Sequence, residues 1–357
     1  MKSDHFDVFK GKTVLITGHT GFKGSWLSLW LQKLGASVVG YALDPEDEKG
    51  NYVQAGVGDN LIDYRHDIRD YKKLLSVIEK HKPKFVFHLA AQAIVRESFA
   101  IPKDTFDINV GGTINVLEAC RLSPSVRALV VVTSDKCYEN AGDGRPFCEC
   151  DRLGGFDPYS ASKACAELVA TAYGHSFFNV KKKGFPEMGL ASVRAGNVIG
   201  GGDWARDRIV PDCIRALSAG QPIKIRNPRH TRPWQHVLEP LSGYLLLASK
   251  LFHDPLKYFG AWNFGPQMNA VVPVSELVDR IINAYGMGSW AAENSADQPK
   301  ESHLLALDTT KAIKQLKWHP LLDLDEAVTM TVNWYKAVEK KEDIRKFSLG
   351  QIENYMS

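Results

Sequence analysis

The 357-residue sequence predicts an α/β fold, a doubly wound parallel sheet followed by a smaller α/β unit. Three observations carry that expectation. Short β-branched runs alternate with helical stretches through the first half of the chain, a glycine-spaced turn joins the first run to the first helix, and the apolar run 128–133 ends abruptly in Ser134-Asp135-Lys136. Ligands of an open α/β sheet lie outside the carboxyl ends of its strands, so a polar strand end marks the place of chemistry.

Residues 12–17 form the first strand and run directly into Gly18-His19-Thr20-Gly21-Phe22-Lys23-Gly24 and an amphipathic stretch to Leu34. The glycines Gly18, Gly21 and Gly24 permit a tight turn and close backbone approach. The amides and dipole of the helix opening at Phe22 favour a pyrophosphate, the dinucleotide-binding pattern of a Rossmann sheet. The second strand, 37–43, leads to Asp44, twenty residues beyond Gly24. A carboxylate there accepts the hydroxyls of an adenosine ribose and repels a 2′-phosphate, favouring NAD over NADP; a cap on the turn before Pro45 is the alternative.

After the next short strand, His66-Asp67-Ile68 is placed for an adenine contact. Helical periodicity over 71–81 stops at Pro83, and the strand 85–89 leads into Leu89-Ala90-Ala91-Gln92, whose small residues let a cofactor lie close. Residues 104–121 read as a helix, with Asn109 and two adjacent glycines implying tight packing and an amide bonded to backbone. Residues 159–177 form a helix and 190–195 a strand. Helices at 209–219, 238–252, 274–285, 309–316 and 324–341, with strands at 223–225 and 261–264, complete the chain. The expected division is a cofactor-binding domain with the catalytic residues over 1–190 and a mainly substrate-binding domain over 191–357, some of whose segments return to the sheet.

A net charge of +3 and one basic run, Lys181-Lys182-Lys183, which reads as a hairpin turn without interleaved aromatics, argue against nucleic acid as partner. Apolar stretches are too short for a signal peptide or a membrane span, so a cytoplasmic protein is expected. The six cysteines are scattered, and Cys148-x-Cys150 lacks zinc-site spacing. Free thiols and no metal are expected.

Tyr159 and Lys163 lie one helical turn apart, on one face. The lysine and the positive charge of a bound nicotinamide favour a phenolate, able to take the proton of a sugar hydroxyl that Ser134 also holds. Together these residues resemble the extended short-chain dehydrogenase/reductase family. Gly18, Gly21 and Gly24 match its glycine loop, Leu89, Ala90 and Ala91 its L-A-A motif, Asn109 its structural Asn, and Ser134, Tyr159 and Lys163 its catalytic triad. Asn197 and the segment Asn263-Phe264-Gly265-Pro266 match its nucleotide-sugar landmarks.

Within that family the nucleotide-sugar 4,6-dehydratases carry an acid and a base after the catalytic Ser, usually Asp-Glu. This chain has Asp135-Lys136. The resemblance implies an NAD-dependent lyase in which Asp135 is the acid and Lys136 takes the place of the base or stabilises an enolate. The Asp-Lys pair, with Gln92-Ala93-Ile94-Val95-Arg96, implies CDP-glucose as substrate, in a pathway to bacterial O-antigen. Arg208 and Arg232 offer bidentate forks to its diphosphate. Trp204 and Trp234 stack on a base or ribose or else anchor loops. A dTDP- or GDP-sugar dehydratase, a UDP-sugar 4-epimerase and an NAD-sensing regulator are the alternatives. A homodimer, or a tetramer, through the helices 104–121 and 159–177 is the expected assembly.

Overall fold

The computed structural model describes residues 5–140, 142, 144–178, 187–293 and 305–357. Seven strands make one sheet: β1 (Thr13–Thr17), β2 (Ser37–Ala42), β3 (Ile62–Arg65), β4 (Phe85–His88), β5 (Ala128–Val132), β6 (Gly189–Ala195) and a last strand, Gly260–Phe264. They lie in the order Gly260–Phe264, β6, β5, β4, β1, β2, β3, and every pairing is parallel. The chain winds outward from β1 to β3, returns to β4 and winds out the other way. This is the expected doubly wound sheet, with its switch point between β1 and β4.

Helices cover both faces, which is why the strands are apolar throughout rather than alternating with polar residues. Neighbouring residues of one strand enter opposite cores: Val130 packs with the helices Phe22–Lys33 and Leu238–His253, and Leu129 and Val131 with Tyr71–His81 and Gly112–Arg121. The first of these cores runs from Phe6 to Tyr355. The division expected at residue 190 falls inside β6, and the last strand of the sheet also comes from the second half.

Several elements differ from expectation. The helix expected over 104–121 is broken into Pro102–Phe106, a wide π turn at Asp107–Gly111, and Gly112–Arg121. Close packing accounts for the glycine, since a Cβ on Gly112 would lie 2.8 Å from Cγ2 of Ile68. The helix expected over 159–177 is Pro158–Tyr173 followed by a π turn, Gly174–Phe178. The stretch 309–316 is helical from residue 310 and ends in a wide π turn, Ala312–Leu316. The helix Ile344–Met356 was not expected. It packs back on the first helix, with Trp30 edge-on to Tyr355 at 5.7 Å and Arg345 Nη2 donating to Gln32 Oε1 at 2.7 Å. Lys181, Lys182 and Lys183 lie outside the described residues, among which no helix is long and apolar enough to cross a membrane.

The C-terminal helix is tied down by a buried carboxyl. Glu239 Oε1 accepts the Leu321 and Leu322 amides at 2.8 and 2.6 Å, and Oε2 accepts the Tyr355 hydroxyl at 2.8 Å. Burial nevertheless pushes its pKa up from 4.5 to about 7. The folded state therefore keeps a proton that the unfolded chain releases. The corresponding stability is full below about pH 4.5 and is lost as pH rises through about 7. Glu239→Gln is expected to remove this component, about 3 kcal/mol by linkage. Thermal unfolding across that pH window checks it, and a pH slope like that of the wild type refutes it.

Candidate active site

The turn after β1 is shaped by contacts on two sides. Gly18 has φ +76°, in the left-handed region, and a Cβ there would lie 2.6 Å from the Ala90 nitrogen. A Cβ on Gly24 would run into the Gly18 carbonyl, whereas one on Gly21 would meet nothing nearer than 3.5 Å. The first and third glycines are thus required by packing, and the second leaves the loop open. The helix Phe22–Lys33 starts without a side-chain cap, and the Phe22, Lys23 and Gly24 amides precede its first bond, Ser25 N to Gly21 O at 2.9 Å. Those three amides lie outside the helical ladder, where an anion finds them. Across the switch point Leu89 N donates to Thr17 O at 3.0 Å and Ala90 N to Thr17 Oγ1 at 3.3 Å, while Ala91 follows. This open cradle fits a dinucleotide pyrophosphate.

Asp44 stands just beyond β2 with its side chain 87% exposed, and Arg65 Nε is 3.9 Å away. Arg65 is held by Asp63 at 2.7 Å and by the Tyr52 hydroxyl at 2.9 Å, which leaves the Asp44 carboxylate open to a ribose. Asp67 is held by Arg69 at 2.7 Å, whose hydrogen bonds keep the carboxyl below the usual range, and Ile68 is buried against Gly112. The resemblance also groups Asn109 with the cofactor-binding residues; in the structure its amide bonds within the protein. Its Oδ1 accepts Gln92 N at 2.9 Å, and Nδ2 donates to Gln92 O at 3.0 Å and Ser162 Oγ at 2.8 Å. The π turn carries this buried side chain, and it holds the loop after β4 against the helix Pro158–Tyr173.

Beyond β5 the chain makes a single turn, Asp135–Cys137. Ser134 caps it, accepting Lys136 N at 3.3 Å and donating to Asp135 Oδ1 at 3.0 Å. Tyr159 and Lys163 come from the first turns of Pro158–Tyr173, a helix opened by Asp157, which accepts Ser160 N at 2.9 Å, and by Pro158. Burial pushes Tyr159 up to about 12, against a hydrogen bond with Ser134; Asp135 raises it further and Arg208 lowers it. Lys163 is not among the strongest influences on it. Lys163 Nζ turns back to the Val132 carbonyl at 3.4 Å, and burial pulls its own pKa down to about 8, with Glu167 opposing.

Burial also raises Asp135 above the ordinary carboxyl range, against Lys136, the Ser134 hydrogen bond, Lys23 and Arg232. A carboxyl whose pKa is raised beside a hydroxyl and a phenol keeps its proton to higher pH than an exposed one, which suits acid catalysis. Lys136 follows it in the turn, half-buried.

The second half closes over this turn. Arg208 Nη1 pairs with Asp203 Oδ2 at 3.1 Å, and Arg232 donates to the Thr231 carbonyl at 3.0 Å while favouring ionised Asp135. Asn197 follows β6, and its carbonyl accepts Gln235 N at 3.1 Å. Gly196 packs on the acid, since a Cβ there would lie 2.9 Å from Asp135 Oδ2. Both tryptophans anchor the structure: Trp234 is buried in the core, and Trp204 packs edge-on to Tyr335 at 5.3 Å.

Lys23 is a further residue of the site, one to which the sequence assigned no role. Its amine faces Arg208, Asp135, Lys163 and Asp203, and burial, aided by Arg208, pulls its pKa down to about 8. A lysine at a helix start, where the dipole already supplies positive potential, was the available signal. Elsewhere all six cysteines are free; Cys148, Cys150 and Asp151 come together, but Asp151 is engaged by Arg145 at 2.7 Å.

Comparison with known proteins matches this geometry. A family model described as GDP-mannose 4,6 dehydratase matches residues 15–331. CDP-glucose 4,6-dehydratase of Salmonella typhimurium is 46% identical over 350 residues, 98% of this chain and 97% of the relative. Among solved structures, an epimerase from Methanothermobacter thermautotrophicus superposes with a TM-score of 0.79 at 25% identity, covering 96% of this chain and 97% of the other. dTDP-glucose 4,6-dehydratase from Bacillus anthracis, solved with NAD, shares the fold with a TM-score of 0.74 at 22% identity, covering 93% and 99%.

Proposed function

The chain belongs to the GDP-mannose 4,6 dehydratase family, and from that premise we propose that it is an NAD-dependent hydro-lyase converting CDP-glucose to CDP-4-keto-6-deoxyglucose. The observation that supports the reaction type is the buried Asp135, which accepts a hydrogen bond from Ser134 and whose pKa burial raises. An epimerase has no step that needs such an acid. Likeness to the Salmonella typhimurium CDP-glucose enzyme supports the choice of nucleotide over dTDP, GDP or UDP.

Bound NAD would supply a hydride acceptor at C4 of the sugar and a hydride donor at C6. Gly18, Gly21, Phe22, Gly24, Leu89, Ala90 and Ala91 would line its pyrophosphate groove, Asp44 would hold the adenosine ribose, and Asp67 and Ile68 would border the adenine. Ser134 orients the C4 hydroxyl while Tyr159 removes its proton, and Lys163 binds the nicotinamide ribose. Oxidation at C4 acidifies the proton on C5. Lys136 would serve as base or as the cation that stabilises the enolate, and Asp135 would protonate the departing C6 hydroxyl. Arg208, Arg232 and Asn197 hold the nucleotide diphosphate. The first half thus serves cofactor and catalysis, the second mainly substrate.

A cytoplasmic homodimer is part of the proposal. The six free thiols suit a reducing compartment, and Phe106, Ile114 and Leu168 lie exposed on the helical stretches expected to pair. The purified protein incubated with CDP-glucose is expected to give a 4-keto product that absorbs in alkali, and dTDP-, GDP- and UDP-glucose much less. Absence of keto product from every nucleotide-glucose, with NAD bound, refutes the proposal.

A further inference from the structure

Behind the turn that carries Asp135 and Lys136 lies a buried ion pair. Glu167 sits one helical turn after Lys163, and Arg194 comes from β6; their side chains are 1% and 3% exposed, and Arg194 Nη2 meets Glu167 Oε2 at 2.7 Å. Burial opposes the charge on both. Arg194 and the hydrogen bonds outweigh it at Glu167, whose pKa is lowered, and Glu167 outweighs it at Arg194, whose pKa is raised. Replacing such a pair by packed apolar side chains is often neutral for stability, so its presence calls for another account.

The account lies in what each partner holds. Glu167 Oε1 accepts the Thr133 hydroxyl, and Oε2 also accepts Ser192 Oγ at 2.7 Å. Thr133 immediately precedes Ser134. On the other flank, Arg194 Nη1 donates to the Tyr138 hydroxyl at 2.6 Å, and its guanidinium lies 4.7 Å from the centre of the Tyr138 ring. Tyr138 closes the turn, and its hydroxyl donates to Asn263 Oδ1 at 2.8 Å. Asn263 is itself fixed by Phe147 O at 2.9 Å and by the Glu149 carboxylate, which accepts its backbone amide at 2.9 Å. One ion pair therefore grips both ends of the segment 133–138, and the acid and the lysine hang between the grips.

We infer that Glu167 and Arg194 are positioning residues that act through Thr133 and Tyr138, setting Ser134 on one side and Asp135 with Lys136 on the other. The inference rests on the dehydratase reading. Loosening the Tyr138 flank should harm elimination more than oxidation, because Ser134 stays tied through Thr133, and Tyr159 and Lys163 are carried by the helix. A merely structural role would slow both steps together.

Tyr138→Phe removes the hydroxyl and keeps the ring that stacks on Phe147 at 4.9 Å. With CDP-glucose and the holoenzyme, single-turnover absorbance of reduced nicotinamide is expected to rise at close to the wild-type rate. Keto-deoxy product and deuterium entry at C5 should fall by roughly tenfold or more, the scale of a small misplacement of catalytic groups. Thr133→Val tests the other flank and serves also if Tyr138→Phe fails to fold. It is expected to slow the rise of reduced nicotinamide, also roughly tenfold, with none accumulating before product. Variants that slow both steps alike, or neither, overturn the inference while wild-type turnover leaves the dehydratase reading standing. A wild-type protein that makes no keto product overturns both.

Discussion

Tyr159→Phe is expected to lower conversion of CDP-glucose by roughly 10³-fold, the range for losing a positioned acid–base group. The substitution removes one oxygen from a buried site whose ring remains packed. In the protein alone, burial holds that phenol up to about 12, and Ser134 and Arg208 act to lower it. The remaining fall must come from the charge of the oxidised nicotinamide, so the phenol becomes a competent base only in the loaded site. Reduced nicotinamide should therefore not appear in a single turnover. Retention of more than a tenth of wild-type turnover, with unchanged circular dichroism, would remove Tyr159 as the C4 base.

Asp135→Asn is expected to arrest the reaction one step later. Asparagine keeps an acceptor for the Ser134 hydroxyl at the same place but has no proton for the departing C6 hydroxyl. Reduced nicotinamide should form and persist, while keto-deoxy product falls by about 10²- to 10⁴-fold. The raised pKa of Asp135 adds a pH signature. Its acid form persists to higher pH than an ordinary carboxyl's, so wild-type elimination declines as pH rises through that value and the residual rate of the variant does not. Product formation without accumulated reduced nicotinamide would exclude Asp135 as the acid. Lys136→Met separates the two roles of the lysine: a base is needed for deuterium to enter C5, and undiminished exchange would leave Lys136 as the cation beside the enolate.

Much of this site was legible in the chain because its signals are local. Gly18 and Gly24 were identifiable from spacing, and packing explains why neither tolerates a Cβ. Ser134, Asp135, Tyr159 and Lys163 were found from a strand end and one helical turn, and the structure brings them together. Asn109 was half legible: its burial and backbone bonding were foreseen, but its three hydrogen bonds are spent on Gln92 and Ser162. Gly196, Glu167 and Arg194 carried no local mark of their place around Asp135, and Lys23 only its position at a helix start. The helix Ile344–Met356 was missed because its packing partners lie at the other end of the chain.

By itself, then, the sequence determined the doubly wound sheet and the dinucleotide loop and supplied the residues proposed to react. Strand and helix periods, glycine geometry and one-turn spacing act over a few residues and need no partner elsewhere. Only the tertiary structure decided in which direction each group's pKa moves and what holds the turn Asp135–Cys137. Burial raises Tyr159 and Asp135 and lowers Lys163, while Glu167 and Arg194, from a helix and a strand 27 residues apart, meet at 2.7 Å behind that turn. Desolvation and charge pairing depend on neighbours that folding alone assembles.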